Sequence, residues 1–158
     1  MLRRVMMAGG GGGGVSPHPY WRINISAAQS GHYVSIEEIE MRATVGGADQ
    51  CTGGTASADS VYSGTYAASN AFNDVVNTST PWASGAGFPH WIKYAFPAPV
   101  TVAEVTIRSN SAAYVGPAEH PKTFTIEWSD DNVSWTVART VPNEASWVHN
   151  EVKAYTVP

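Results

Sequence analysis

Leucine is almost missing from this chain: Leu2 stands alone against 17 valines, 7 isoleucines and 13 threonines. Leucine is among the strongest helix formers, whereas β-branched side chains lose χ1 freedom in a helix and pack well on a pleated surface. A chain that takes its bulk from 37 β-branched residues is poorly suited to a helical bundle or to a helix-covered parallel sheet. At 158 residues it has the length of one domain with a core of its own. Its 43% hydrophobic and 14% charged residues exclude a disordered chain. A net charge of −4 argues against sequence-independent nucleic-acid binding, which needs a surplus of Lys and Arg. No apolar run approaches the ~20 residues that span a bilayer, so membrane insertion is not expected. The start, Met1-Leu2-Arg3-Arg4-Val5-Met6-Met7, is basic but lacks the apolar stretch of a secretory signal. Cys51, the single cysteine, excludes an internal disulfide and a cysteine-based zinc site, and reads as a buried or incidental thiol.

Residues 9–14 are six consecutive glycines. Glycine loses the most backbone entropy on ordering, so residues 1–15 are expected to be a flexible glycine-rich N-terminal arm that tethers a domain over 16–158. That domain reads as strands joined by polar loops. Alternation of apolar and polar residues marks Tyr20–Ser26, Val34–Thr44, Val102–Arg108 and Thr123–Trp128. Ile92–Phe96 is expected to end at Pro97, and further strands are expected over Ser134–Val141 and Val148–Val157. Ser129-Asp130-Asp131-Asn132 is a turn sequence, with Asn132 suited to a left-handed conformation. Only Ala67–Phe72 suggests a short helical turn. About eight strands with no long helix predict an all-β fold, an antiparallel β-sandwich of the jelly-roll kind.

Three segments in order carry a family resemblance. They are Ala71-Phe72-Asn73-Asp74 followed by Thr80-Pro81-Trp82-Ala83-Ser84; Pro89-His90-Trp91-Ile92-Lys93-Tyr94-Ala95-Phe96; and the run from Pro121 to Trp135 containing Phe124, Ile126, Ser129, Asp131 and Trp135. Together they resemble the discoidin, or coagulation factor V/VIII type C, domain of galactose-binding-like fold. Tyr20-Trp21-Arg22-Ile23 and Glu38-Ile39-Glu40 resemble that family's closing strands, yet here they come first. The resemblance therefore implies a circular permutation, which needs neighbouring chain ends, of the kind found in bacteriophage virion proteins.

The resemblance also implies sites. Relatives tie the Asp-Gly loop to the Glu-Ile-Glu strand with calcium, which takes six to eight oxygen ligands. By position, that makes Asn73, Asp74, Thr80 and Glu38 the candidate calcium ligands. The chain departs from the family in having Asn73 for Asp and Asp74 for Gly, and the competing reading is that both residues cap a turn. Carbohydrate-binding relatives use loops at one rim of the sandwich, where a ring stacks on the sugar and polar groups bind its hydroxyls. The rim candidates are Tyr62, Tyr66, Phe88, Tyr114, His120, Trp147 and His149. Ala83 stands where galactose binders have His, and Ser109–His120 contains no Arg, so galactose recognition of that type is not expected. Trp82, Trp91, Trp128 and Trp135 are assigned to the core.

Catalysis has little support. Glu38 with Glu40, and Asp130 with Asp131, are the carboxylate pairs a glycoside hydrolase would need, but both read as solvated surface. No Gly-x-Ser-x-Gly motif is present, the histidines lack metal-ligand spacing, and the glycine run is not followed by Lys-Ser/Thr. The expected function is a non-enzymatic carbohydrate-binding adhesion module on a phage tail, baseplate or capsid surface, extracellular after release. It would contact host-surface polysaccharide, be held to other virion proteins through residues 1–15, and work as a homo-oligomer or in many copies, whose avidity multiplies weak affinities. The alternative is a structural decoration or connector that binds only other virion subunits.

Overall fold

The computed structural model describes residues 16–112 and 119–158. The expected tether at 1–15 and the rim candidate Tyr114 lie outside those residues. Ten strands are described: β1 His18–Ala28, β2 Ser35–Ile36, β3 Glu38–Arg42, β4 Thr55–Ala58, β5 Trp82–Ala83, β6 His90–Val100, β7 Glu104–Arg108, β8 Pro121–Ser129, β9 Thr136–Val141 and β10 Val152–Thr156. Two short 3₁₀ turns, Gly64–Tyr66 and Ala68–Phe72, lie between β4 and β5. All named strand pairs are antiparallel. The five-stranded sheet has the order β4-β6-β1-β8-β9, the three-stranded sheet β10-β7-β3, and β2 pairs with β5. The fold is the expected all-β sandwich.

Alternation fixes which side of each strand is inside. Trp21, Ile23 and Ile25 of β1 are completely buried, as is Ile92 of β6, and Tyr94 and Phe96 follow it inward. Phe124 and Ile126 of β8 complete this wall. Ile39 and Met41 of β3, Val105 and Ile107 of β7 and Tyr155 of β10 face it from the smaller sheet, and Trp82 fills the same core.

The strand reading needs adjustment in four places. Val34–Thr44 is broken at Glu37, giving β2 in one ladder and β3 in another. Strand β4 was not foreseen, because Thr55-Ala56-Ser57-Ala58 has too little apolar contrast to register as alternating. The last two strands begin later than expected, at Thr136 and Val152. Finally, β6 does not stop at Pro97 but runs to Val100. Pro97 and Pro99 are tolerated because the pairing with β1 jumps there, from Tyr20–Ala95 to His18–Val100. Across such a bulge a missing N–H costs no ladder bond.

The tryptophans are redistributed relative to expectation. Trp82 is in the core as predicted, joined by Trp21 and Trp147. Trp91 and Trp135 are only partly buried, and Trp128 is half-buried with its ring stacked 3.5 Å from that of His18. On β6 the inward positions are Ile92, Tyr94 and Phe96, so period-two geometry turns Trp91 and Lys93 outward.

Candidate functional site

The outer face of the five-stranded sheet carries an aromatic cleft. Arg22 of β1 lies opposite Lys93 of β6 and Glu127 of β8, and Asn24 lies opposite Trp91. These outward side chains form a patch across three central strands, and the turn after β8 folds Asn132 and Trp135 over it. Together Arg22, Trp91, Lys93, Asn132 and Trp135 line a cleft of about 120 Å³. That is smaller than the roughly 300 Å³ and more of drug-sized pockets, and suits one ring or one residue of a longer chain.

The turn that closes the cleft is strongly built. Asn132 adopts φ 61°, the left-handed conformation expected of it. The Asp131 carboxylate accepts hydrogen bonds from the N–H groups of Val133 and Ser134, which hold its pKa well below the usual carboxylate range. Ser129 Oγ accepts from the Asn132 N–H at 2.9 Å. Trp135 is thus presented by a turn with its own internal bonds.

Charges in the cleft are unequally matched. Glu127 accepts from Arg22 Nε at 2.6 Å through one oxygen, and from Asn24 and Thr125 through the other. Arg22 then rides over the Trp135 ring, 4.1 Å from its centroid, a cation–π contact. Lys93 donates to the neutral Asn132 Oδ1 at 2.6 Å and sits 5.1 Å from the Trp91 centroid. Lys93 makes no ion pair among the described residues. Burial, and then the Arg22 charge, lower its pKa.

The rim is assembled differently from expectation. Tyr62 and Tyr66 do come together, in an edge-to-face chain with Tyr33 at centroid distances of 5.5 and 5.8 Å. Phe88 packs instead near His90, whose Nδ1 contacts the Asp59 carboxylate at 2.7 Å. His120 and Trp147 meet each other, but both are buried, at 2% and 5% exposure, so they serve packing rather than contact with a ligand. Trp147 Nε1 donates to the Pro121 carbonyl. His149 is exposed beside the Asn110 carbonyl.

The loop after the second 3₁₀ turn approaches the start of β3. Glu38 is 4% exposed, and among the described residues no well-formed hydrogen bond satisfies either carboxylate oxygen, although the Asn73 and Ile39 N–H groups act on it. Burial, followed by the charge of Asp74, pushes its pKa up to about 8; Asp49 adds to the effect. Asp74 has φ 58° and Asn73 Oδ1 accepts from the Val75 N–H, so this pair also shapes a turn. The Thr80 backbone is fixed within this loop, its carbonyl accepting from the Asn70 side chain and its N–H donating to Thr78 Oγ1. The other carboxylates expected of a hydrolase are engaged: Glu40 with Arg42, Asp130 with His18, and Asp131 in its turn.

Residues 54–157 match the family model of the F5/8 type C domain. The chain belongs to that family. No curated protein matches it, and no solved structure does. F5/8 type C domains are in general non-catalytic binding modules, and discoidin-type domains commonly bind carbohydrates. In this F5/8 type C domain, β1 and β3 lie before the matched segment, yet β1 occupies the middle of the larger sheet and β3 closes the smaller one.

The calcium site that the family implies can be tested against these residues. Among the described residues no three His, Cys, Asp or Glu side chains converge as a metal cluster. A cation here would therefore draw on carbonyl and amide oxygens as well as carboxylates, which is calcium chemistry. The unpartnered buried carboxylate of Glu38, with Asp74 beside it, fits such an ion. Asp49 raises the Glu38 pKa a little further, but its Oδ1 accepts from the Met41 N–H at 2.8 Å and it does not complete a cluster with Glu38 and Asp74.

Arg22, Lys93 and Asn132 were missed as site residues. Their signal was the same alternation that placed Ile23 and Ile92 inside, since each stands one step out of phase with a core residue or on the turn beyond it.

Proposed function

We propose that this F5/8 type C domain is a carbohydrate-binding module of a bacteriophage particle, facing host-surface polysaccharide. The observation that carries the glycan reading is the cleft with two partly exposed tryptophans, Trp91 and Trp135, beside Arg22, Lys93 and Asn132. Flat rings give a sugar an apolar platform, and the polar groups beside them orient its hydroxyls. The sheet face, rather than the predicted rim, is the principal surface in this reading. The rim tyrosines 33, 62 and 66 are a secondary aromatic patch.

The permuted arrangement is supported by the strand order. A family match that begins at residue 54, with strands resembling the family's closing pair placed ahead of it, is what a circular permutation produces. His18 pairs with Val100, while Val157 donates to the nearby Ala103 carbonyl. The two ends of the described domain therefore lie at one end of the sandwich, opposite the tyrosine rim, an arrangement suited to mooring at that end.

Titration of the protein with immobilised and free glycans, read by tryptophan fluorescence, tests the proposal. Binding that is lost in Trp135→Ala and Trp91→Ala supports it, and no binding to any glycan overturns it. The connector reading is favoured by one observation: β10 is an edge strand that opens on exposed Val152, with exposed Val148 just before it, and such an edge can pair with another subunit. Retained binding to a virion subunit without any glycan affinity would decide for it.

We also propose that Glu38 and Asp74 contribute to a structural calcium site, joined by oxygens of the 73–80 loop. The ion would neutralise the buried carboxylate and tie that loop to β3.

A further inference from the structure

The charge balance of the tryptophan cleft narrows the ligand. Glu127 spends both oxygens on Arg22, Asn24 and Thr125, so it neutralises the guanidinium. Arg22 spends only Nε–H on that carboxylate, leaving both terminal amino groups unbonded among the described residues. Lys93 faces the same cleft with one neutral acceptor, Asn132 Oδ1, and no carboxylate partner among the described residues. One positive charge is thus left over in a partly desolvated position on a chain whose net charge is −4. A cation held this way is stabilised by an anion, and charge-assisted hydrogen bonds are about twice as strong as neutral ones. The lowered pKa of Lys93 agrees with this unmet need.

Resting on the glycan reading above, we propose that the cleft takes an acidic glycan, its carboxylate seated between Lys93 and Arg22 and its ring against Trp91 and Trp135. The rings are recessed into the sheet face, both only partly exposed. A membrane surface is engaged by apolar side chains that protrude, so a sugar acid fits this cleft better than an anionic lipid.

The test titrates the full chain with oligogalacturonate, oligoglucuronate and sialyllactose as acidic probes and with lactose and galactotriose as neutral ones. The readout is the indole N–H signals of Trp91 and Trp135 by NMR. At least one acidic probe is expected to shift both indoles, more tightly than any neutral probe, and to weaken as salt rises. Lys93→Gln is expected to weaken that binding about tenfold, the order of one lost charge-assisted hydrogen bond, with Lys122→Gln as the control for general charge. Trp135→Ala should abolish it while circular dichroism and Tm confirm folding. Neutral probes that bind as well as acidic ones, or acidic binding unmoved by Lys93→Gln, overturn the acidic assignment while the glycan reading stands. If none of the probes binds, the acidic assignment fails, and the glycan reading is then decided by the wider glycan titration described above. Phosphatidylserine vesicles that shift these indoles when no glycan does overturn the proposal in favour of a lipid surface.

Discussion

At His120 the ring is 2% exposed and its Nδ1 has no hydrogen-bond partner among the described residues. Burial, and then the neighbouring His149, lower its pKa to about 4, below the ordinary imidazole value of 6.5. The unfolded chain takes up a proton near 6.5 while the folded one resists until about 4, so this contribution is whole above 6.5 and is lost as pH falls through that interval. Urea unfolding between those pH values should show stability dropping by up to about 1.4 kcal/mol per pH unit. His120→Gln should flatten the slope, and an unchanged slope would remove His120 as its cause. Glu38 gives the second prediction at this scale. Calcium that binds only the folded chain stabilises by about 2.7 kcal/mol when free ion is at about 100 Kd. Calcium should therefore raise Tm, EGTA should reverse it, and Glu38→Gln should remove the increment; a Tm indifferent to calcium would reject the site.

Strand β1 shows what elements contribute. Its inward residues are completely buried and its outward residues build the cleft, so one strand supplies both core and site. Ile23→Ala, at 0% exposure between Ile92 and Ile126, should cost about 2–5 kcal/mol through lost burial and the cavity left behind. Denaturant titration checks this, and a loss under about 1 kcal/mol would mean that the site collapses around the smaller side chain. Most strands, and the inward side of each, were legible because period-two alternation is a local property of consecutive residues. Thr55–Ala58 was not, because it becomes a strand only by pairing with β6. Trp135 and Trp147 exchanged their expected roles for a related reason. Neither sits inside an alternating run, so only the surrounding fold decides which of them packs inside.

For the whole molecule, the position of the two chain ends makes a prediction of its own. If the natural order of the family has been permuted, joining Pro158 to Ser16 through a short Gly/Ser linker and opening the chain at exposed Thr52–Gly53 should give a folded domain. Gly53, with φ 68°, has open space around it. The permuted chain should unfold cooperatively with Tm within about 10 °C of the parent, as ΔΔG near 3 kcal/mol would allow at this size. Failure to fold would argue that the present order is required.

The sequence by itself determined the strand-rich class, the inward side of most strands, the Asn132 turn and the family. These rest on propensity and on a two-residue period, which neighbours along the chain settle between themselves. The cleft was settled only in three dimensions. Arg22, Lys93 and Trp135 lie far apart along the chain and meet because β1 is inserted between β6 and β8, and strand order is a property of the assembled sheet that no local pattern encodes.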